Sequence, residues 1–481
     1  MKAPFSPYLT GIAPGLKELV SLLRKRYDYV SVLSTDSTGF SVSISQKAKS
    51  VTRRTMSTER GTVVRVCRNK LYAESAFTGF DPAEAAEKSE AITRELDAQL
   101  RLLEENGVEP YETDVLPDGE RTLFAEKETG RLPREENIAA LVEKLSAVSD
   151  RGMEQGREKG LNMIDFMVRV SSTHVCKMFL TEKQDLRQSY VFSDGMAAAL
   201  VAGKERTEMA YTGFSGRKGP ELFDRIGEKV PEVLRIAKDL ISAGRVEPGE
   251  YDVITAPEVT GLIAHEAFGH GVEMDMFVKG RALGADYIGK RVGSDKVTMH
   301  EGALCAEDVT SYAFDDEGTP AGDVTEIDSG ILRAGICDAL SALRLGVKPT
   351  GNGKRENFAH KVYTRMTNTL FDSGTDTLEE MIRSIDRGYL LEGMQSGMED
   401  PKHWGIQCIL DRGYEIIGGK LTGRVVSPLV MTGYVPDLLG SVSMVSADRE
   451  VFGAGACGKG HKEWVKVADG GPYLKVKARL G

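Results

Sequence analysis

The segment 256–277, APEVTGLIAHEAFGHGVEMDMF, constrains the chain more than any other, because its chemistry and its helical geometry pull apart. Pro257 suits the first position of a helix, and Val259, Leu262 and Ile263 give that helix an apolar face. On it lie His265, Glu266 and His270, an H-E-x-x-x-H array. Two imidazoles can hold a zinc ion, and a carboxylate beside the first can deprotonate a water on that ion, the division of labour in the shorter H-E-x-x-H sites. Here the spacing is one residue longer. At about 100° per residue, positions four apart differ by roughly 40° and share a face, whereas positions five apart differ by roughly 140°. Both imidazoles reach one ion only if a π-type turn intervenes or the helix ends just before His270. Gly269 and Gly271 flank His270 and permit either deformation.

The chain has only seven histidines, so a pair framing a glutamate points to a metal centre; a helix carrying two unrelated histidines is the plainer alternative. A catalytic zinc needs a third protein ligand and an open position. The residues leave that ligand open. Glu273 and Asp275 lie just downstream, whereas Cys457 lies far off in the glycine-rich stretch FGAGACGKGHKEW (452–464), with His461 four residues beyond it. Glycines on both sides let the backbone bring a Cys457 thiolate close to an ion, although a lone cysteine among glycines is more often a packing residue.

At 481 residues the chain exceeds one ordinary core, which predicts two domains. Leucines at helical spacing mark 14–27, and YVSVLS, FSVSIS and TVVRVC between 29 and 67 alternate as strands, with Glu59-Arg60-Gly61 as a turn. Asp81-Pro82 opens a long helix that stops at Asn106-Gly107. Further helices are expected at 135–150, with Gly152 just past the end, and at 220–243, with strands near 162–180 and 186–201. Pro248-Gly249 reads as a break before a new strand, which places the boundary at 235–250. Beyond residue 280 glycine-punctuated short strands dominate, and one helix stands out near 377–388. The expected class is α+β: an N-terminal mixed α/β layered domain over 1–240, then a β-rich C-terminal domain over 241–481, barrel or sandwich, carrying the metal-motif helix.

Sixty-two Lys and Arg against 72 Asp and Glu leave a net charge of −10, which argues against a nucleic-acid partner; Arg53-Arg54 and Lys354-Arg355 read as solvated surface. The opening MKAPFSPYLTGIAPG has prolines and no apolar core, and no apolar run reaches the roughly 18 residues of a membrane span, so neither a secretory leader nor a membrane segment is expected. Six scattered cysteines make no disulfide scaffold and fit a reducing cytoplasm; Cys67, Cys176, Cys305, Cys337 and Cys408 read as buried small apolar side chains. Gly351-Asn352-Gly353 lacks phosphate-loop spacing and reads as a tight turn. Arg365, Thr367 and Asn368 offer donors for a substrate carbonyl or oxyanion, or else cross-strand hydrogen bonds, and His360 is more readily structural than a transition-state donor. His174 and His300 carry no assignment.

Five segments in order, HEAFGHGVEMD (265–275), DDEGTP (315–320), PTGNGKRENFAH (349–360), RMTNT (365–369) and GACGKG (455–460), resemble the TldD branch of the TldD/PmbA metallopeptidases. ERGTVVRVCRNKLYAESAFT (59–78) resembles that family's N-terminal domain, so the resemblance covers nearly the whole chain. It implies a single zinc ion held by His265, His270 and Cys457, with Glu266 as catalytic base, in a cytoplasmic enzyme that cuts unfolded or extended peptides. It also implies a dimer, of two copies or with a PmbA-like (TldE) subunit that lacks the metal, this chain resembling the metal-bearing subunit. The family's older label as gyrase modulators gains no support from so acidic a chain. After Cys457-Gly458-Lys459 the family usually carries glutamine or a similar residue, then small residues and proline; this chain has Gly460-His461-Lys462 and Glu463-Trp464, which predicts a different pocket beside the metal. A thiolate gives zinc more charge than a third imidazole, so slow turnover suited to controlled peptide processing is expected. The peptide would add as a strand to a sheet edge in a cleft. Two rivals share the motifs: a zinc amidase acting on small substrates, and a non-catalytic subunit whose metal is closed off by a fourth ligand such as Asp275 or His461.

Overall fold

The computed structural model describes residues 1–105, 113–203, 206–461 and 463–481, and the helix stop expected at Asn106-Gly107 lies outside the described residues. Period-two alternation builds the first sheet. In the strands Tyr29–Ile44, Glu59–Arg68 and Met163–Leu180, the side chains of Val30, Val32, Val64, Val66, Met178 and Leu180 share one core with Leu9, Leu16 and Leu23 of the helix Pro7–Arg24 and Leu96 of the helix Ala85–Glu105. Farther along, Val42, Ile44, Val168 and Val170 pack against the helices Ile138–Glu158 and Lys229–Ser242. Leu33, Val63 and Phe179 are out of phase with these and bury the opposite face against Phe314 of the second half. The sheet is therefore covered on both faces. Among the described residues it has eight strands, antiparallel except for Arg121–Glu126, which runs parallel to Gln184–Ala202.

Several local expectations shift. The two strands expected between 29 and 45 are one, Tyr29–Ile44. Glu59-Arg60-Gly61 begins a strand instead of a turn: Gly61 sits opposite Thr35, and the Phe358 ring fills the place of a Cβ. Gly152 lies inside the helix Ile138–Glu158, because the Phe166 ring occupies its side-chain space and the glycine serves close packing, not termination. The first helix starts early, at Pro7, where the Ser6 hydroxyl accepts from the Leu9 N–H at 3.2 Å. The helix expected at 220–243 is a 3₁₀ stretch, Pro220–Glu228, followed by the α-helix Lys229–Ser242.

The second half forms an eleven-stranded sheet among the described residues. Part of it closes on itself: Ala468–Leu480, Leu429–Tyr434, Gly405–Ile417, Arg387–Asp400 and Gly249–Thr255 pair in turn, and Gly249–Thr255 pairs back onto Ala468–Leu480. The metal-motif segment packs against this ring, with Val259, Leu262, Ile263, Ala267 and Phe268 in one core with Leu391, Leu410, Leu474 and Val476. Besides the helix Leu378–Arg383, short helices stand at Ala339–Leu345 and Val435–Gly440, too brief for periodicity to reveal. No helix among the described residues is long and apolar enough to cross a membrane.

Buried charges join the first sheet to loops of the second half. Arg65 donates to Glu74 at 2.6 Å and to Glu317, Arg355 donates to Glu74 at 2.5 and 2.8 Å, and Lys177 pairs with Asp316. Lys354-Arg355 is therefore not the solvated pair that its sequence suggests. Lys354 donates to the carbonyls of Met366 and Lys466, and burial, with Arg365 nearby, pushes its pKa down to about 7. Replacing Arg65 by Met would leave Glu317 buried with an uncompensated charge. Arg65→Met is expected to cost about 3–5 kcal/mol of stability, read as a lower denaturant midpoint. A loss below about 1 kcal/mol would mean that the network behaves as a solvated surface pair.

Candidate metal centre

The motif segment begins with Pro257 and runs as α-helix only to Leu262; Ile263–Phe268 is π-helical and Gly269–Val272 is 3₁₀. The π-type turn that the spacing demands is thus present, and it sets the His265 and His270 rings with centroids 5.2 Å apart and planes at 87°. The flanking glycines answer to packing as much as to the turn. Gly269 has φ −56°, open to any residue, but a Cβ there would run into the Met366 sulfur. At Gly271 a Cβ would meet the Glu399 carboxylate and stand 2.7 Å from the Trp404 indole nitrogen.

Cys457 arrives on the hairpin formed by Ala456–Lys459 and Glu463–Lys466, strands that pair with each other and with no other strand among the described residues. Its Sγ lies 3.4 Å from His270 Nε2, and the donor atoms of His265, His270 and Cys457 all fall within 4.8 Å of one another. Glu266 Oε2 lies 3.9 Å from His270 Nε2. Its side chain runs past Gly397, where a Cβ would stand 2.7 Å from Glu266 Cγ. The other sequence candidates are turned elsewhere. Glu273 Oε2 lies 3.0 Å from His270 Nδ1, which assigns the ring proton to Nδ1, and 3.0 Å from Lys459 Nζ. Asp275 accepts from Lys459 at 2.8 Å and from Lys279 at 3.1 Å. His461 is exposed at the hairpin tip, and Lys462 lies outside the described residues.

Burial opposes ionisation of Cys457, but the facing His265 and His270 outweigh it and hold the thiol down to about 4. Burial likewise opposes charge on His265, and Cys457 outweighs it, raising the imidazole to about 9. Burial pushes Glu266 above the ordinary carboxylate range and Asp469 up to about 7. Two imidazoles and a thiolate in one buried cluster are a donor set that suits zinc and other late first-row ions; the thiolate is already ionised at neutral pH, and the imidazole of His265 must release a proton when an ion binds.

The cluster opens onto a cleft of about 890 Å³ whose walls include Met276, Tyr363, Met394, Met398 and Trp464. Glu399 lines it as well, with both carboxylate oxygens unpartnered and burial raising it to about 9. Sequence reasoning gave Glu399 and Asp469 no role, and neither sits in a pattern that would single it out. The donors considered for an oxyanion are engaged as structural groups: Arg365 donates to the carbonyls of Cys457 at 2.6 Å and Glu463 at 3.0 Å, Thr367 to Glu301, and Asn368 to the Gly302 carbonyl. His360 pairs with Glu356 and Glu463, His174 contacts Ser189, and His300 contacts Asp323. Cys67, Cys176, Cys337 and Cys408 are buried as expected, whereas Cys305 is only partly so.

Residues 248–479 match the family model of the PmbA/TldA metallopeptidase C-terminal domain. The chain is 31% identical over 306 residues to a metalloprotease TldD homolog of Buchnera aphidicola subsp. Acyrthosiphon pisum, covering 61% of this chain and 62% of that protein. It is 25% identical over 479 residues to a metalloprotease of Synechocystis sp., covering 98% of both. The chain spans 54–62% of the length of the first curated relatives it matches. The solved structure of TldE from Thermococcus kodakarensis shares the fold, with a TM-score of 0.76 at 18% identity over 97% of this chain and 100% of that one. His265, His270 and Cys457 all fall inside the residues matched by the family model, and with relatives that include TldD homologs, the chain belongs to the TldD/PmbA family.

Proposed function

We propose that this chain is a zinc-dependent peptidase that hydrolyses peptide bonds in unfolded or extended chains. The observation that carries this reading is the convergence of His265, His270 and Cys457 within 4.8 Å, beside Glu266, on the wall of a cleft of about 890 Å³. Those three side chains would hold a single zinc, which when bound supplies a Lewis acid that acidifies a water and polarises a carbonyl. Glu266 takes a proton from the attacking water and returns it to the leaving amine. Glu273 keeps the proton of His270 on Nδ1 and so leaves Nε2 as the donor facing Cys457. An extended peptide fits along the strand Arg387–Asp400: among the described residues Gly249–Thr255 pairs with it over 388–391, no other strand pairs on that edge, and residues 395–399 line the cleft.

We further assign the chain the metal-bearing role in a cytoplasmic dimer, with a second copy or a PmbA-like subunit, because it supplies all three donor side chains itself. The division near residue 240 gives the N-terminal part, 1–240, the task of bracing the cleft. Tyr211 donates to the Met394 carbonyl, and the Ser215 hydroxyl accepts from the Gly453 N–H at 2.7 Å. Zinc-loaded protein incubated with an unfolded protein chain is expected to release fragments cut at peptide bonds, a reaction lost on chelation and restored by zinc. Turnover of small amides with the unfolded chain left intact would sink the peptidase reading in favour of an amidase.

A further inference from the structure

Lys459 makes three bonds that ordinary packing does not require together. Its Nζ lies 3.0 Å from Glu273 Oε2, 2.8 Å from Asp275 Oδ1 and 2.9 Å from the Thr364 carbonyl oxygen. Glu273 Oε2 is the same atom that lies 3.0 Å from His270 Nδ1. Along the strand Ala456–Lys459, Lys459 is two residues from Cys457, so both side chains leave the same face. One buried ammonium thus joins the segment that carries His270 to the hairpin that carries Cys457. Among the described residues the hairpin pairs with no other strand. Arg365 holds its backbone through the Cys457 and Glu463 carbonyls, Lys354 donates to the Lys466 carbonyl, and the Trp464 N–H donates to Glu356, while Lys459 is what ties it to Glu273 and Asp275.

We propose that Lys459, acting through Glu273, is a positioning residue that sets the Cys457 thiolate and the His270 imidazole at the separation one metal ion needs. This rests on the metal-site reading above. Glu273 and Asp275 are 2% and 6% exposed, so removing the ammonium takes one cation from each of two buried carboxylates, leaving Glu273 with His270 and Asp275 with Lys279. Glu273 would no longer be fixed from the hairpin side, and the hairpin would lose its link to the segment that carries His270. Carboxylates that orient a ligating imidazole act in this manner at metal sites generally.

Cobalt(II), titrated into metal-free protein, reads the two ligands separately. Its d–d bands report the bound ion, and thiolate-to-cobalt charge transfer reports Cys457. Wild type is expected to show both. In Lys459→Met the affinity is expected to fall about 10- to 100-fold, with weaker charge transfer per bound cobalt. Lys459→Arg, which can face both carboxylates, is expected to recover most of that charge transfer. Wild-type affinity and charge transfer in Lys459→Met would overturn the role, and so would an Arg variant no better than the Met variant. Where Lys459→Met does not fold, Lys459→Gln decides, since it keeps a donor at that position and drops the charge: about a tenfold loss of cobalt affinity is expected, and unchanged affinity overturns the role. Wild type that binds cobalt without any thiolate band is a different failure, for it overturns the ligand set and this role with it.

Discussion

Glu266→Gln is expected to slow peptide cleavage by about 10²- to 10⁴-fold while the protein keeps its metal. Glutamine matches glutamate in shape, so the approach to Gly397, 2.7 Å from a would-be Cβ to Cγ, is undisturbed. What the amide lacks is a basic oxygen able to take a proton from water and return it to an amine. Glu266 stands 3.9 Å from His270 Nε2 and outside the trio of donor atoms that lie within 4.8 Å, so its loss should not empty the site. Rate and metal content measured on the same sample separate the possibilities. An undiminished rate removes Glu266 as the base. Loss of metal together with rate would place it among the ligands.

Cys457→Ala is expected to lose metal and activity together. Two imidazoles without the thiolate leave the ion short of a protein ligand, and the fall in affinity should exceed about 100-fold, the upper end of what an outer-shell change costs. The fold should survive. Cys457 belongs to a small cluster with Ile336, Met366, Val465 and Val467 that loses one sulfur, and the His265 and His270 imidazoles can shed their extra protons once the thiolate is gone. Metal content by elemental analysis, with a thermal melt as control, checks this. Full metal and activity in the variant would move the third ligand elsewhere; Glu273 and Asp275 would then have to give up Lys459.

The two halves of the candidate metal site were unequally legible in the sequence. The H-E-x-x-x-H segment carried its own geometry, since a spacing of five on a helix demands a non-α turn, and Ile263–Phe268 supplies a π turn. Cys457 lies 187 residues from His270, and no periodicity connects them; only the family resemblance singled it out. The same distance in sequence hid the interface. Arg355 looked like a solvated charge because its partner Glu74 is 281 residues away. Glycines misled where they serve close approach instead of a turn, as at Gly61 against Phe358 and Gly152 against Phe166. Lys459 was visible only as part of a motif, because its work depends on carboxylates brought to it by another segment. Strand alternation, by contrast, gave the first sheet well, since both of its faces are buried and each face keeps its own parity.

X-ray absorption at the zinc edge reads the ligands of the bound ion, on wild-type protein whose cleavage of an unfolded peptide has been measured in the same preparation. The expected shell has one sulfur at about 2.3 Å, two imidazole nitrogens at about 2.0–2.1 Å, and one further light atom not supplied by the chain. A zinc shell without sulfur in an active preparation, or full activity in a preparation free of metal, would contradict the assignment of His265, His270 and Cys457 as the centre of a zinc peptidase.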